Sequence, residues 1–425
     1  MKGILKGILK GLLKYRFIIL ITVSVFFISA NIAWLNPRPD FVIKTHEKIP
    51  LFWQYNVDSS HEFLSGAYFP EYYEQNNLRI NRPTYAFGTR FIGETVGFAL
   101  SPFVKLNILA KGIIGYISIK FIFYLFGAIC LYEIIKKYLN EKIALLSVII
   151  TFFHPHSIEF ATTFNSSELQ FIIPIIIIYL FLNLAKEYSL KKNIIYSLLL
   201  GLIMLAKQTY AVYLAILLFS FFYKKKYKES VLSGFIHLVP LLVWLLFIKI
   251  SGLEYWNHEV QAYGMGVWLF AELPFMNPID IIQVVTSSVI DWLIVLIKYF
   301  HIFIFLAPFA FMNDKIKNIF NKNTTIFSLL FIFSVWLQIF ASRSYAWYMS
   351  SDIAILIFPL AILAIYAVLK KYNLKKAIIP LTGLYIILSL ISFINLPWIH
   401  PYDQINKLEG KDEKIESIKG GVLTE

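Results

Sequence analysis

The chain has 425 residues, of which 58% are hydrophobic and 15% charged, with a formal net charge of +13 and a mean hydropathy of +0.66. Soluble domains carry about 25% charged residues, so the composition excludes an ordinary water-soluble protein and points to apolar runs long enough to cross a bilayer. The lysines form short clusters between those runs and do not coat one soluble domain, which favours the membrane over nucleic acid as partner.

The N-terminus reads K-G-I-L-K-G-I-L-K-G-L-L-K. Lys2, Lys6, Lys10 and Lys14 fall four apart, so residues 1–16 predict a basic interfacial helix on the cytoplasmic side. A first span follows at 17–35, too long for a signal peptide and followed by no A-x-A site. Further spans are expected near 107–135, 142–158, 168–186, 193–206, 209–223, 229–250, 288–311, 324–341, 350–370 and 375–394. That makes an all-α polytopic membrane protein of about eleven transmembrane helices, one domain over 17–394 with a short extracytoplasmic tail at 395–425.

Charge sets the orientation. The loops expected inside, 136–142, 187–192, 224–228, 313–323 and 371–376, are each rich in lysine, as the positive-inside rule requires. The same alternation places 36–106, 159–167, 251–287 and 342–349 outside, in a multi-pass protein of the cell inner (plasma) membrane. Trp34, Trp53, Trp256, Trp268, Trp347 and Trp398 fall near outer boundaries, as an aromatic belt would. Cys130, the single cysteine, excludes an intrachain disulfide.

The two long outer loops, 36–106 and 251–287, are where function is expected. The most polar stretch is Asn56–Arg90, which gathers Asp58, Glu62, Arg79, Arg82 and Tyr85. A carboxylate there, Asp58, can take a proton from an acceptor hydroxyl; the competing reading is a solvated loop acid. Basic groups expected near the outer face, where the positive-inside rule does not put them, are Arg79, Arg82, Arg90, Lys207, Lys298 and Arg343. A guanidinium binds two phosphate oxygens at once, which favours Arg82 and Arg343. Lys207 is equally well read as a lysine snorkelling from a helix end, and Lys298 falls inside an expected span, where a charge is a functional candidate. His154, His156 and Glu159 have a spacing that a metal could use, but read better as polar residues at a helix end. The chain lacks a P-loop, a G-x-G-x-x-G after a strand and a G-x-S-x-G, so a nucleotide-bound donor is disfavoured.

An outer-loop acid after the first helix, followed by Tyr72 and Tyr73 and then by Arg79, Arg82, Pro83 and Tyr85 (R-x-x-R-P-x-Y), resembles the GT-C superfamily of polyprenyl-phosphate-sugar glycosyltransferases. Ser167-Glu168-Leu169 resembles the family's second acid, 201–210 its short helix pair with an intervening lysine, and Arg343 with Tyr345 its late arginine–tyrosine segment. The resemblance implies a GT-C-like fold with a helical first extracytoplasmic loop and Asp58 as catalytic base. It also implies a substrate site of Glu62, Arg79, Arg82, Tyr85, Glu168, Lys207, Lys298, Arg343 and Tyr345. No cofactor is required, with a divalent metal as the alternative less expected, and since a lipid phosphate leaves as a stable anion a general acid is less needed than cations. The expected partners are a polyprenyl-phosphate-linked sugar donor, a glycan or lipid acceptor and membrane lipids, in cell-envelope glycan assembly or modification. A surface-polysaccharide polymerase or ligase is the nearest rival enzyme, and a lipid or oligosaccharide transporter the rival from another class. A purely structural membrane subunit is the bland alternative.

Overall fold

The computed structural model describes residues 13–35, 42–46, 49–54, 64–75, 80–154, 169–186, 189–206, 225–257 and 268–300, with isolated positions elsewhere. In chain order its elements are α1 (Arg16–Leu35), a hairpin of β1 (Val42–His46) and β2 (Ile49–Gln54), a short α2 (Tyr72–Gln75) and α3 (Pro83–Leu100). Then come α4 (Ile108–Tyr138), α5 (Glu141–Phe152), α6 (Leu169–Lys186), α7 (Leu190–Ala206), α8 (Tyr227–Ile250), a short α9 (Trp268–Ala271) and α10 (Pro278–Phe300). Apart from the hairpin these elements are helical, as expected. Among the described residues two helices are long and apolar enough to cross a membrane, Ala110–Lys137 within α4 and all of α8. The spans expected at 209–223, 324–341, 350–370 and 375–394, on which the count of eleven depends, lie outside the continuously described residues.

The helix ends follow local chemistry. Asn107 caps α4, its Oδ1 accepting from the Ala110 amide at 2.8 Å, and Asn140 caps α5 through the Ile143 amide at 3.0 Å. Lys136 and Lys137 close α4, where cations suit the negative end of the helix dipole. The lysine-bearing ends of α1, α4 and α5 meet. Lys14 Nζ and the Tyr15 hydroxyl both donate to Glu133 Oε1, at 2.8 and 2.7 Å, and Lys136 pairs with Glu141 at 3.1 Å. The hydrogen bond to Glu133 raises the Lys14 pKa above its ordinary value.

Two expectations are corrected. The first outer loop is not helical throughout: β1 and β2 pair antiparallel, with Ile43 opposite Trp53 and Lys44 opposite Phe52, where β-branched residues favour strands. The helical part expected in that loop is α3, which lies along α4. The other is the helix expected at 288–311, which starts earlier, at Pro278. Asn277-Pro278 supplies a helix start, with the Ile281 amide bonding the Asn277 carbonyl at 3.1 Å. Its first turns carry Asp280 and Gln283 among the aliphatics, which hides them from a search for apolar runs.

At the centre is α4, flanked by α1, α3, α5 and α6. It is 31 residues long, about 46 Å, well beyond the ~30 Å of a hydrocarbon core. Against its far half α3 presents small side chains, with Thr89, Gly93 and Gly97 all buried. A Cβ on Gly93 would meet the Lys111 carbonyl, and one on Gly115 the Thr89 carbonyl, so the two backbones approach too closely for any side chain. The pairing of α7 with α8 uses the same device, Gly201 lying against the His237 carbonyl and Pro240. Lower on that seam the Ser233 hydroxyl donates to Asn193 Oδ1 at 2.8 Å, both residues fully buried.

Candidate functional site

The polar segment of the first loop is seated on the ends of α7 and α8 that lie away from the lysine clusters. Three hydrogen bonds hold it. The Trp244 indole donates to the Ile80 carbonyl at 2.8 Å, the Thr84 hydroxyl to the Leu202 carbonyl at 2.9 Å, and Asn81 Nδ2 to Asn257 Oδ1 at 3.3 Å. Around them lies an aromatic cluster. Phe69 packs against Phe87 at 4.5 Å and edge-on to Tyr73 at 5.9 Å, while Trp244 stacks on Phe247 at 5.1 Å. Ile80, Ala86, Leu205 and Ile248 complete this second core, which joins the first loop to the loop after α8. Aromatic contacts of this geometry add to the burial of large apolar surface.

Arg82 stands at the joint of this seat. Pro83 opens α3, its fixed φ suited to a first helical turn, and the residue before a proline is kept out of helical geometry. Arg82 accordingly has φ −126° and ψ 55° and remains half-buried. Tyr85, one turn on, is 1% exposed, its ring centroid 5.3 Å from Tyr116 and 5.9 Å from Phe123. It belongs to the α3–α4 interface.

Arg90 has a different position from Arg82. Its Nη1 donates to the Ala67 carbonyl at 2.8 Å and its Nη2 lies 3.3 Å from Glu94, which also pairs with Lys111 at 2.8 Å. The Lys111 hydrogen bond, with the Arg90 charge, holds the Glu94 carboxyl below its ordinary pKa. These ions tie the helical turn at 64–67 to α3 and α4. Arg90 is thereby engaged in holding structure together.

Of the remaining expected site residues, Asp58, Glu62, Arg79, Glu168, Lys207, Arg343 and Tyr345 lie outside the described residues. Lys298 falls within α10, and its side chain is outside the described set. Arg82 and Tyr85 are thus the expected residues whose placement is defined, three positions apart at the start of α3. Among the described residues no group of three His, Cys, Asp or Glu side chains could hold a metal; His156 and Glu159 are outside that set.

Sequence reasoning missed Lys120, a fully buried lysine in the middle of α4, because a single cation leaves a 31-residue apolar helix looking apolar. It also missed Trp244, whose place inside α8 gives no hint that its N–H serves the first loop.

Residues 103–251 match the family model described as dolichyl-phosphate-mannose-protein mannosyltransferase. The match starts in the connection between α3 and α4 and ends at the residue after α8, so it includes the seat of the first loop but not the loop itself. No curated protein matches the chain. The matched family is one of integral-membrane glycosyltransferases, a class the apolar helices α4 and α8 suit. Over residues 103–251, therefore, the chain carries the pattern of a GT-C superfamily family, the superfamily that its motifs resemble.

Proposed function

We propose that this protein transfers one sugar from a polyprenyl-phosphate carrier to an acceptor hydroxyl, at the membrane face opposite its lysine clusters. The lysine-rich ends of α1, α4, α7 and α8 face the cytoplasm in this reading, by the positive-inside rule. Asp58 takes the proton of the acceptor hydroxyl as its oxygen attacks the anomeric carbon. The bond from that carbon to the phosphate oxygen breaks, and polyprenyl phosphate leaves with the electron pair. Direct attack inverts the anomeric centre. Cations stabilise the phosphate as its charge develops, and Arg82 is the first candidate, with Arg343 as a second.

One observation carries the reading. The segment bearing Arg82 is fixed by the Trp244–Ile80 and Thr84–Leu202 hydrogen bonds to helix ends inside the family-matched stretch. A loop anchored so firmly suits a wall of a site at the membrane surface, since catalytic groups need fixed geometry.

The test is transfer from a polyprenyl-phosphate sugar by the full chain in lipid nanodiscs, with the products identified by mass spectrometry. One sugar added to an acceptor supports the reading, and Asp58→Asn should abolish it without altering membrane insertion. Long glycan products would indicate a polymerase, and label crossing vesicles with its lipid linkage intact would indicate a transporter. Full activity in Asp58→Asn would remove Asp58 as base.

A further inference from the structure

The hairpin of α3 and α4 leaves a row of large apolar side chains uncovered. Along α3, Phe87, Phe91 and Phe98 fall four and seven residues apart, on the face opposite Thr89, Gly93 and Gly97, which pack on α4. Phe91 is 73% exposed and Phe98 83%. The bend that follows adds Leu100, Phe103 and Val104, with Phe103 87% exposed. Contiguous apolar surface of this kind marks a contact with a partner or a membrane.

Three features of the surroundings favour lipid as the partner. First, the bend leads directly into Ala110–Lys137, the part of α4 that is long and apolar enough to cross a membrane. Those 28 residues extend about 42 Å, beyond a hydrocarbon core of ~30 Å, and a span longer than the bilayer tilts to keep its apolar surface out of water. Because α3 runs antiparallel along the outer part of α4, with Gly93 at Lys111 and Gly88 at Ile119, a tilt of α4 carries α3 towards the membrane plane. Second, the row is continuous with α8. Phe87 packs edge-on against Trp244 at 5.5 Å, and around Trp244 the apolar residues Leu242, Val243, Leu246 and Ile250 are exposed on a helix that can itself span. Third, polar groups beside the row are satisfied within the chain. The Thr95 hydroxyl donates to the Phe91 carbonyl and the Ser101 hydroxyl to the Phe98 carbonyl, both at 2.7 Å. The Phe103 and Val104 amides bond the Leu100 carbonyl at 2.8 and 2.9 Å. Polar groups at apolar depth need such internal partners.

We propose that α3 and the bend at 98–104 form an interfacial anchor, with Phe91, Phe98, Phe103 and Val104 seated in the lipid of the leaflet opposite the lysine clusters. Lys105, exposed at the end of the bend, reaches back to the headgroups. Arg90, Glu94 and Lys111 form a compact ion group at the same boundary, bordering the row. The anchor keeps the start of α3, and with it Arg82, at the level of the headgroups. The height of the first loop over the bilayer is then set by lipid contact as well as by its hydrogen bond to Trp244. Such an anchor is independent of the reaction catalysed.

Spin labels placed one at a time at Phe91→Cys, Phe98→Cys and Phe103→Cys in the full chain report depth in phospholipid nanodiscs. The native Cys130 is fully buried, and the unsubstituted chain serves as the labelling blank. Collision with oxygen, which partitions into lipid, is compared with collision with a water-soluble nickel chelate by EPR power saturation. The oxygen-to-nickel ratio at the three sites should approach that of Leu246→Cys on α8 and exceed severalfold that of Glu71→Cys, an exposed acid of the first loop. A ratio at Phe98 and Phe103 no higher than at Glu71 puts the bend in water and overturns the proposal. Exclusion of both reagents means that protein covers the row, and overturns it too. Should the labelled variants misfold, a photoactivated diazirine phospholipid is used on wild type in the same nanodiscs. Adducts within 91–104 support the anchor; adducts on Leu242–Ile250 with none within 91–104 overturn it.

Discussion

Trp244 Nε1 and the Ile80 carbonyl, 164 residues apart in sequence, are joined by a buried 2.8 Å hydrogen bond. This contact fixes the first loop to the end of α8, and its two sides can be separated by substitution. Trp244→Phe keeps most of the aromatic packing but leaves the Ile80 carbonyl buried without its donor, which costs about 1–3 kcal/mol. The expected result is a lower thermal midpoint and impaired transfer, because the displaced segment carries Arg82. A variant with unchanged midpoint and activity would show that the loop is held elsewhere.

The α3–α4 contact gives a graded test of backbone approach. Gly115→Ala and Gly93→Ala place a methyl group against the Thr89 and Lys111 carbonyls, which cannot turn aside as a side chain can. Each should destabilise by about 1–3 kcal/mol, the usual range for overpacking. Gly234→Ala meets only the end of the Leu218 side chain, at 3.3 Å, and should be nearly neutral. Gly252 has open space around it but φ +67°, so Gly252→Ala should cost about 1 kcal/mol through the backbone alone. Thermal unfolding of the four variants in detergent should give that order.

How much of this was legible in the sequence depends on what each residue displays. The bounds of α1, α4, α7 and α8 follow from apolar runs flanked by lysines, because bilayer length and charge both act on single residues. In α3 the small residues Thr89, Gly93 and Gly97 went unread, because the surrounding Arg90, Glu94 and Thr95 made the stretch look like part of an outer loop. Its partner surface on α4 cannot be inferred from either segment alone. Arg82 and Arg90 looked equivalent as outer arginines, and nothing in the sequence shows that Arg90 is tied to the Ala67 carbonyl and Glu94. Lys120 was hidden by averaging: one charge in a long hydrophobic window does not change how the window reads.

The distinction between the two arginines is itself a prediction. Arg90→Gln loses the Ala67 and Glu94 contacts and should lower the thermal midpoint while leaving KM for the lipid donor near wild type. Arg82→Gln should instead raise KM for the lipid donor or lower kcat. Arg82→Lys should recover only part, since an ammonium lacks the two-pronged geometry of a guanidinium. Steady-state kinetics with a unfolding curve for each variant would decide, and equal behaviour of the two sites would contradict the assignment.

Glu94 supplies a pH dependence. Its carboxyl is held below the ordinary value, first by the Lys111 hydrogen bond and then by the Arg90 charge. A group with a depressed folded pKa contributes stability above its unfolded value, and that contribution disappears as pH falls through the folded value. Wild type should therefore be more stable than Glu94→Gln at neutral pH, with the gap closing only below the usual carboxylate range. Both side chains are partly exposed, so high salt should narrow the gap as well. Unfolding midpoints across a pH series, with and without added salt, measure this; a gap that persists in acid would place its origin in packing.

The seam between α7 and α8 makes the opposite prediction for two neighbouring polar residues. Asn193 Oδ1 accepts from Ser233 at 2.8 Å, so Asn193→Leu strands that hydroxyl in the interior and should destabilise by about 1–3 kcal/mol. His237, one turn above Ser233, is fully buried, and among the described residues neither ring nitrogen has a hydrogen-bond partner. An unsatisfied polar group in an apolar interior is costly, so His237→Leu should leave the protein as stable as wild type or more so. The pair is compared in detergent by thermal unfolding at neutral pH. A clear fall in midpoint for His237→Leu would show that its imidazole forms a bond worth keeping, which a bridging water between the two helices would supply.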